Sequence, residues 1–195
     1  MIDTAEMLKV FNKHRGEAIV IPGRGGRHWV GISTKPNRDL PVGDPAMGGH
    51  ASFALGLALA RPDQKVVLFD SEGDVLMGMG ALATIAEQQP KNLYHFLLDN
   101  ECYATTGGQP VPNAKNVAYD NLARACGYTR THAFDNLERF SIEIERILAG
   151  TGPVFVWMKV APEVENLPIK QRKQWRKRTA AQTLVDLRKE LRVDP

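Results

Sequence analysis

Apolar residues along the chain switch repeatedly between strand-like and helix-like patterns. Glu17 to Ile21, Lys65 to Asp70 (KVVLFD), Leu93 to Leu98 and Val154 to Val160 are short, nearly continuous apolar runs. Such runs are expected of strands covered on both faces. Tyr128 to Ala133 reads as a further strand. The stretches between them have helical character. Thr4 is placed to cap a first helix carrying Met7, Leu8 and Phe11. Met47 to Ala60 reads as a small-residue helix able to sit closely on a sheet, and Val75 to Gln88 as another. A short helix is expected near Asp120 to Cys126, and Asp135 is expected to cap one that ends at Ala149. Strands alternating with helices of this length predict an α/β fold: an open parallel sheet with helices on both faces.

After Pro168 the character changes. Leu184, Leu187 and Leu191 fall at helical spacing, with Ala180 and Ala181 a turn earlier, amid QRKQWRKR and RKE. This predicts a C-terminal amphipathic helix that docks on another surface. We therefore expect a main unit over residues 1–165 and a basic helical extension over 166–195. The charge distribution follows the same division. The net charge is +3, yet Lys170 to Pro195 holds nine Lys/Arg against three Asp/Glu, a net +6, which leaves −3 for the rest. A nucleic-acid-binding face is not expected of an acidic body. No GxGxxG or Walker loop supports a nucleotide-binding module either.

Other features narrow the class further. With 195 residues, 43% hydrophobic and 24% charged, the chain can form a sizeable core. Its apolar runs are too short for a bilayer, so no membrane association is expected. Met1 to Asn12 does not read as a secretory signal. The two cysteines, Cys102 and Cys126, have no metal-type spacing, and a reducing, cytoplasmic location is expected.

Ligands of open parallel sheets bind at the carboxyl ends of the strands. Here those ends are the glycine-rich loop Pro22 to Arg27 (PGRGGR), Ser71 to Asp74, and the long loop from Asp99 through Gln109. All three are the chemically unusual segments of the chain. Arg24, Arg27 and His28 are candidates for binding an anion; the alternative is an exposed basic turn. His50, at the start of a helix, is a candidate for capping, packing or catalysis. His95 lies within an apolar strand and reads as a core histidine.

The stretch from Met47 to Gln109 resembles the cofactor-binding region of thiamine diphosphate (ThDP)-dependent decarboxylases of the sulfopyruvate and phosphonopyruvate decarboxylase kind. The resemblance rests on AMGG before a small-residue helix, RPDQKVVLFD, LMGMGALATIA, QQPKNLYHF, LDN and YATTGGQP, in that order. It extends over roughly Glu17 to Val160. That family carries Gly-Asp-Gly, then a little under thirty residues, then Asn-Asn or Asp-Asn. The carboxylate and last Asn bind Mg²⁺ or Ca²⁺, a hard cation that bridges the diphosphate to protein oxygens.

Aligning the neighbouring segments without gaps places Ser71-Glu72-Gly73 in the Gly-Asp-Gly slot. Glu72 to Asn100 is then 28 positions, whereas Asp74 to Asn100 is 26. The resemblance therefore implies Glu72, Asn100 and the carbonyl of Cys102 as metal ligands. Glu in place of Asp and Asp74 in place of a small hydroxyl residue are departures from the pattern. Met47 takes the place of the apolar residue wedged beneath the cofactor, and the carbonyl of Pro45 and the N–H of Met47 would bind the aminopyrimidine edge. Gly48, Gly73, Asp74, Arg24 and Thr105 complete the implied cofactor contacts, and Thr106 and Gln109 lie in the same active-site loop.

The resemblance implies a ThDP- and metal-binding subunit of a carboxy-lyase acting on a small anionic 2-oxo acid. Activation of the cofactor needs a glutamate from a pyrimidine-binding domain, for which this chain has no segment. A separate α-like subunit is therefore implied, in a heteromer of α2β2 or larger. A ThDP carboligase of the acetolactate-synthase type, or a non-catalytic protein of the same fold, would share these features.

Overall fold

A computed structural model describes residues 1–41, 47–171 and 178–193 of the chain. The helices are α1 (Thr4–His14), α2 (His50–Ala60), α3 (Glu72–Met77), α4 (Gly80–Gln88), α5 (Tyr119–Ala125), α6 (Leu137–Ala149) and α7 (Ala180–Glu190). The strands are β1 (Ile19–Pro22), β2 (Val66–Ser71), β3 (Leu93–Asp99), β4 (Cys102–Tyr103), β5 (Gln109–Pro110), β6 (Arg130–Phe134) and β7 (Val154–Lys159). Five strands form one sheet in the order β1-β2-β3-β7-β6, with every neighbouring pair parallel. β4 and β5 make a small antiparallel pair within the long loop after β3.

Successive strand residues point to opposite faces, and both faces are covered. Val67, Phe69, Phe96, Val154 and Val156 face α1 and α6. Val66, Leu68, Leu93, Leu97 and Phe155 face α2, α4 and α5. The assignment of helices to faces follows from right-handed crossovers. The chain steps in one direction along the sheet from β1 to β3 and on to β6, so α2, α4 and α5 share a face. It steps back from β6 to β7, which sends α6 to the other side.

The predicted elements are present with shifted ends. Asp3, not Thr4, caps α1 and accepts the Glu6 N–H at 2.8 Å. Asn136, not Asp135, caps α6 and accepts the Arg139 N–H at 3.0 Å. In each case the adjacent residue is the one with extended backbone and a short oxygen-bearing side chain, which is what a cap requires. The helix expected over Val75 to Gln88 begins earlier, at Glu72, and is interrupted between α3 and α4. The interruption is a backbone contact: a Cβ on Gly78 would lie 2.2 Å from the carbonyl oxygen of Gly48. The helix expected from Met47 begins at His50, because Gly48 turns the chain with φ +79°.

The outer edge of β1 is covered by the chain itself. Arg38 Nε donates to the Glu17 carbonyl at 2.7 Å and the Leu40 N–H donates to the Val20 carbonyl at 2.7 Å. Asp39, between them, pairs with Arg15 at 2.9 Å in a buried salt bridge.

The tail forms the expected helix, and α7 docks on the face that carries α2. Its buried positions are Thr183 and Leu187, whereas Leu184 is 44% exposed and does not serve as an anchor. Thr179 caps it, accepting the Gln182 N–H at 3.1 Å. Arg178 reaches both Asp186 at 2.6 Å and the Pro36 carbonyl. Residues 172–177, the centre of the basic run, lie outside the described residues. Truncating a buried leucine costs about 2 kcal/mol or more, and an exposed one far less. Leu187→Ala is expected to lower unfolding stability in urea by about 2 kcal/mol and Leu184→Ala by under about 0.5 kcal/mol; equal effects would refute this docking.

Candidate functional site

The carboxyl ends of β1, β2, β3 and β7 surround a cavity of about 270 Å³. Its wall combines Arg24 from the loop after β1, Met47 from the turn before α2, Gly73 and Asp74 from α3, and Asn100 and Cys102 from the loop after β3. Two glycines let these segments meet. A Cβ on Gly25 would lie 2.2 Å from the Asp70 carbonyl oxygen, so the glycine-rich loop rests directly on the end of β2. A Cβ on Gly73 would lie 2.9 Å from the Tyr103 ring.

Glu72 lies behind the cavity wall and is fully buried. Its Oε1 accepts the Cys102 N–H at 3.0 Å, and Oε2 has no hydrogen-bond partner. The same N–H also reaches Asn100 Oδ1 at 3.1 Å. Two side-chain oxygens thus converge on a single donor and leave a surplus of lone pairs, which a hard cation would satisfy. Burial pushes the Glu72 carboxyl up to about 8, helped by the nearby charge of Asp99. Asp99 itself is saturated: it accepts from the Glu101 N–H at 3.1 Å, from Trp157 Nε1 at 2.9 Å and from Lys159 Nζ at 3.1 Å.

Asp74 is as deeply placed but fully engaged. Oδ1 accepts the Gly48 N–H at 3.0 Å and stands 3.5 Å from Arg24 Nε. Oδ2 lies 3.3 Å from Ser71 Oγ and 3.4 Å from His50 Nδ1. Burial raises its pKa, but His50, the Gly48 N–H and Arg24 together outweigh that and hold the carboxyl below its ordinary value. Arg24 also reaches Thr105 Oγ1 at 3.3 Å, so it spans the cavity wall.

The structure thus brings Arg24, Met47, Gly48, Glu72, Gly73, Asp74, Asn100, Cys102 and Thr105 to one end of the sheet. Pro45 lies outside the described residues. Met47 is 65% exposed at the cavity rim and is not a core packer. Arg27 and His28 point to a different partner, both meeting Glu163 Oε2 at 2.6 Å. Thr106 lines the cavity, whereas Gln109 is an exposed neighbour bonded to it at 3.1 Å. His95 is a core residue, with Nε2 3.0 Å from Asp70. His50 is buried against Asp74. Sequence reasoning missed Glu163 and Tyr103. Glu163 follows the last sheet strand, so the strand-end rule that found the other loops would also have found it.

Residues 32–158 match the family described as thiamine pyrophosphate enzyme, C-terminal TPP binding domain, and the chain belongs to that family. Among its relatives is the sulfopyruvate decarboxylase subunit beta of Methanothermobacter thermautotrophicus, 39% identical over 87% of this chain and 88% of that one. The phosphonopyruvate decarboxylase of Streptomyces viridochromogenes is 36% identical over 72% of this chain. The chain spans about a third of the length of that relative, 34%. The fold is shared with the thiamine diphosphate-dependent 4-hydroxybenzoylformate decarboxylase of Rhodococcus jostii RHA1, with a TM-score of 0.63, 17% identity and coverage of 85% of this chain and 33% of that one. Among the described residues no helix is long and apolar enough to cross a membrane.

The elevated Glu72 carboxyl has a consequence for stability. Without a cation, folded Glu72 keeps its proton between about 4.5 and about 8, where the unfolded chain has lost it. The group's contribution is therefore full below that window and lost as pH rises through it. In metal-free buffer, Glu72→Gln is expected to melt close to wild type at pH 5 and on the order of 5 °C higher at pH 8. A gap that does not change with pH would contradict the protonation state assigned to Glu72.

Proposed function

We propose that this chain binds thiamine diphosphate through a divalent cation and is the cofactor-holding subunit of a 2-oxo acid decarboxylase. The single observation that carries this reading is the buried Glu72 carboxylate, with one oxygen unpartnered and the other beside Asn100 and Cys102. An oxygen-rich donor set of this kind suits Mg²⁺ or Ca²⁺. Glu72 and Asn100 would hold the cation, with the Cys102 backbone closing the site. Gly73 lets the Tyr103 ring close against the start of α3, beside the place where the diphosphate would lie. Met47, standing clear of the core at the rim, would support the organic part of the cofactor, with Gly48 beside it; Pro45, outside the described residues, is proposed to contribute its carbonyl. Arg24 and Thr105 present donors across the same cavity. The cofactor supplies the electron sink that loss of carbon dioxide from a 2-oxo acid requires, and the protein supplies binding and orientation.

The relatives support the class of reaction and substrate. Near-full-length likeness to a protein named as a beta subunit supports a partner for this chain. We read that partner as an α-like pyrimidine-binding subunit that contributes the activating glutamate, in an assembly of α2β2 or larger. The relatives' names support a small 2-oxo acid with a second anionic group. On this reading residues 1–165 form the cofactor-binding unit and 166–195 an appended helix.

The test is calorimetric titration of ThDP into the purified chain with Mg²⁺, alone and with a co-expressed α-like subunit. Cation-dependent binding that falls at least tenfold in Glu72→Ala is expected. Absence of binding with the partner present would overturn the reading and favour a fold that has lost its cofactor.

A further inference from the structure

The geometry points to Asp74 as a positioning residue that fixes the Met47 turn and the Arg24 side chain from within the protein, rather than a group that meets the diphosphate. This inference rests on the reading of the cavity as a cofactor site. Asp74 has almost no exposed surface, and each of its oxygens is directed to protein. One accepts the Gly48 N–H at 3.0 Å, immediately after Met47. That oxygen also faces Arg24 Nε at 3.5 Å. The other is held by Ser71 Oγ at 3.3 Å and lies 3.4 Å from His50 Nδ1. Three segments distant in sequence therefore converge on one side chain: the loop after β1, the turn before α2, and the start of α3.

Sterics make the anchoring stiff. Gly48 has φ +79°, and its position is closed on the far side: a Cβ there would lie 2.8 Å from Gly78 N and 3.1 Å from the Asp74 carbonyl oxygen. The turn is held by the Asp74 side chain on one side and by the α3 backbone on the other. Behind Asp74 the support continues into the core. His50 is buried, and its ring would lie 3.4 Å from a Cβ on Gly23. Met47, by contrast, is 65% exposed and has little packing of its own to fix it. Its direction therefore depends on the backbone bond made one residue later. Removing the Asp74 acceptor would leave a buried N–H unsatisfied and free the turn to rotate Met47 away from the cavity.

Two substitutions separate the roles of this carboxylate. Asp74→Asn keeps an oxygen acceptor for the Gly48 N–H but loses the charge facing Arg24. Asp74→Ser keeps a polar residue in the first turn of α3 and is too short to reach Gly48. The chain carries six methionines, and their methyl resonances in a ¹³C-methyl-methionine sample read the turn without any cofactor. Met47→Leu assigns the signal. In Asp74→Ser the Met47 methyl is expected to move towards its free-methionine position, while the core residues Met7 and Met158 keep theirs; Asp74→Asn is expected to retain the wild-type Met47 signal. An unmoved Met47 methyl in folded Asp74→Ser, or equal displacement in both variants, overturns the proposal.

Binding supplies the second arm. If Asp74 acts through the Met47 turn, Asp74→Ser weakens thiamine and thiamine diphosphate by the same factor, about tenfold. If it meets the diphosphate, the loss is confined to the diphosphate-bearing ligand, and the proposal fails. Should the wild-type chain bind neither ligand even with the α-like partner present, the proposed cofactor function fails, while the methyl signals still decide the role of Asp74.

Discussion

A carboxylate with no surface to water is the constraint around which this site is arranged. An ionised Glu72 left unpaired in the interior is strongly disfavoured, so the group must hold a proton or meet a cation. Its Oε1 accepts the Cys102 N–H, a donor shared with Asn100 Oδ1, and the nearby backbone N–H groups do not offset its burial. The loop after β3 is shaped to make that donor available: Asp99 accepts the Glu101 N–H and is itself pinned by Trp157 and Lys159. The tension at Glu72 is thus built in by neighbours that have no such tension of their own.

The second acid of the same turn shows the opposite solution. Asp74 is two residues further on and equally enclosed, yet it is met by Ser71, His50, Gly48 and Arg24, and the last three lower its pKa. The two acids divide the work. One is left short of donors and is suited to an exogenous charge, and the other is consumed in holding the wall together. The resemblance leads one to expect a small hydroxyl residue at position 74; the carboxylate found there spans both the Gly48 turn and Arg24, which a hydroxyl could not.

Much of this was legible in the sequence because the strands advertise themselves. Runs such as KVVLFD are buried on both faces, and the segments that break the apolar pattern fall at the strand ends where the cavity lies. A gapless comparison of neighbouring segments selects Glu72 over Asp74 as the candidate metal carboxylate; the structure leaves one oxygen of Glu72 unpartnered and directs both oxygens of Asp74 to protein groups. Contacts made by backbone atoms were not legible. The break between α3 and α4 arises because Gly78 lies on the Gly48 carbonyl, and no side-chain pattern encodes that approach. Helix spacing also overstated the tail, where Leu184 and Leu187 look alike in sequence and only Leu187 is covered, because the buried row of α7 runs through Thr183 and Leu187, four residues apart. Partnerships such as Arg27 and His28 with Glu163 join residues more than a hundred positions apart, and local patterns do not reveal them.

The segment from Arg38 to Leu40 has a further consequence for how copies of this molecule can meet. A parallel sheet ends in strands whose outward N–H and C=O groups invite another chain to add itself. The carbonyl of Val20 in β1 and that of Glu17 just before it are already taken, by the Leu40 N–H and by Arg38, and the buried Arg15–Asp39 pair fastens that covering in place. Growth of the sheet past β1 would require this fastening to be undone first. Assembly is thereby turned away from strand-to-strand addition on this side and towards contact through side chains, a mode whose stoichiometry is finite.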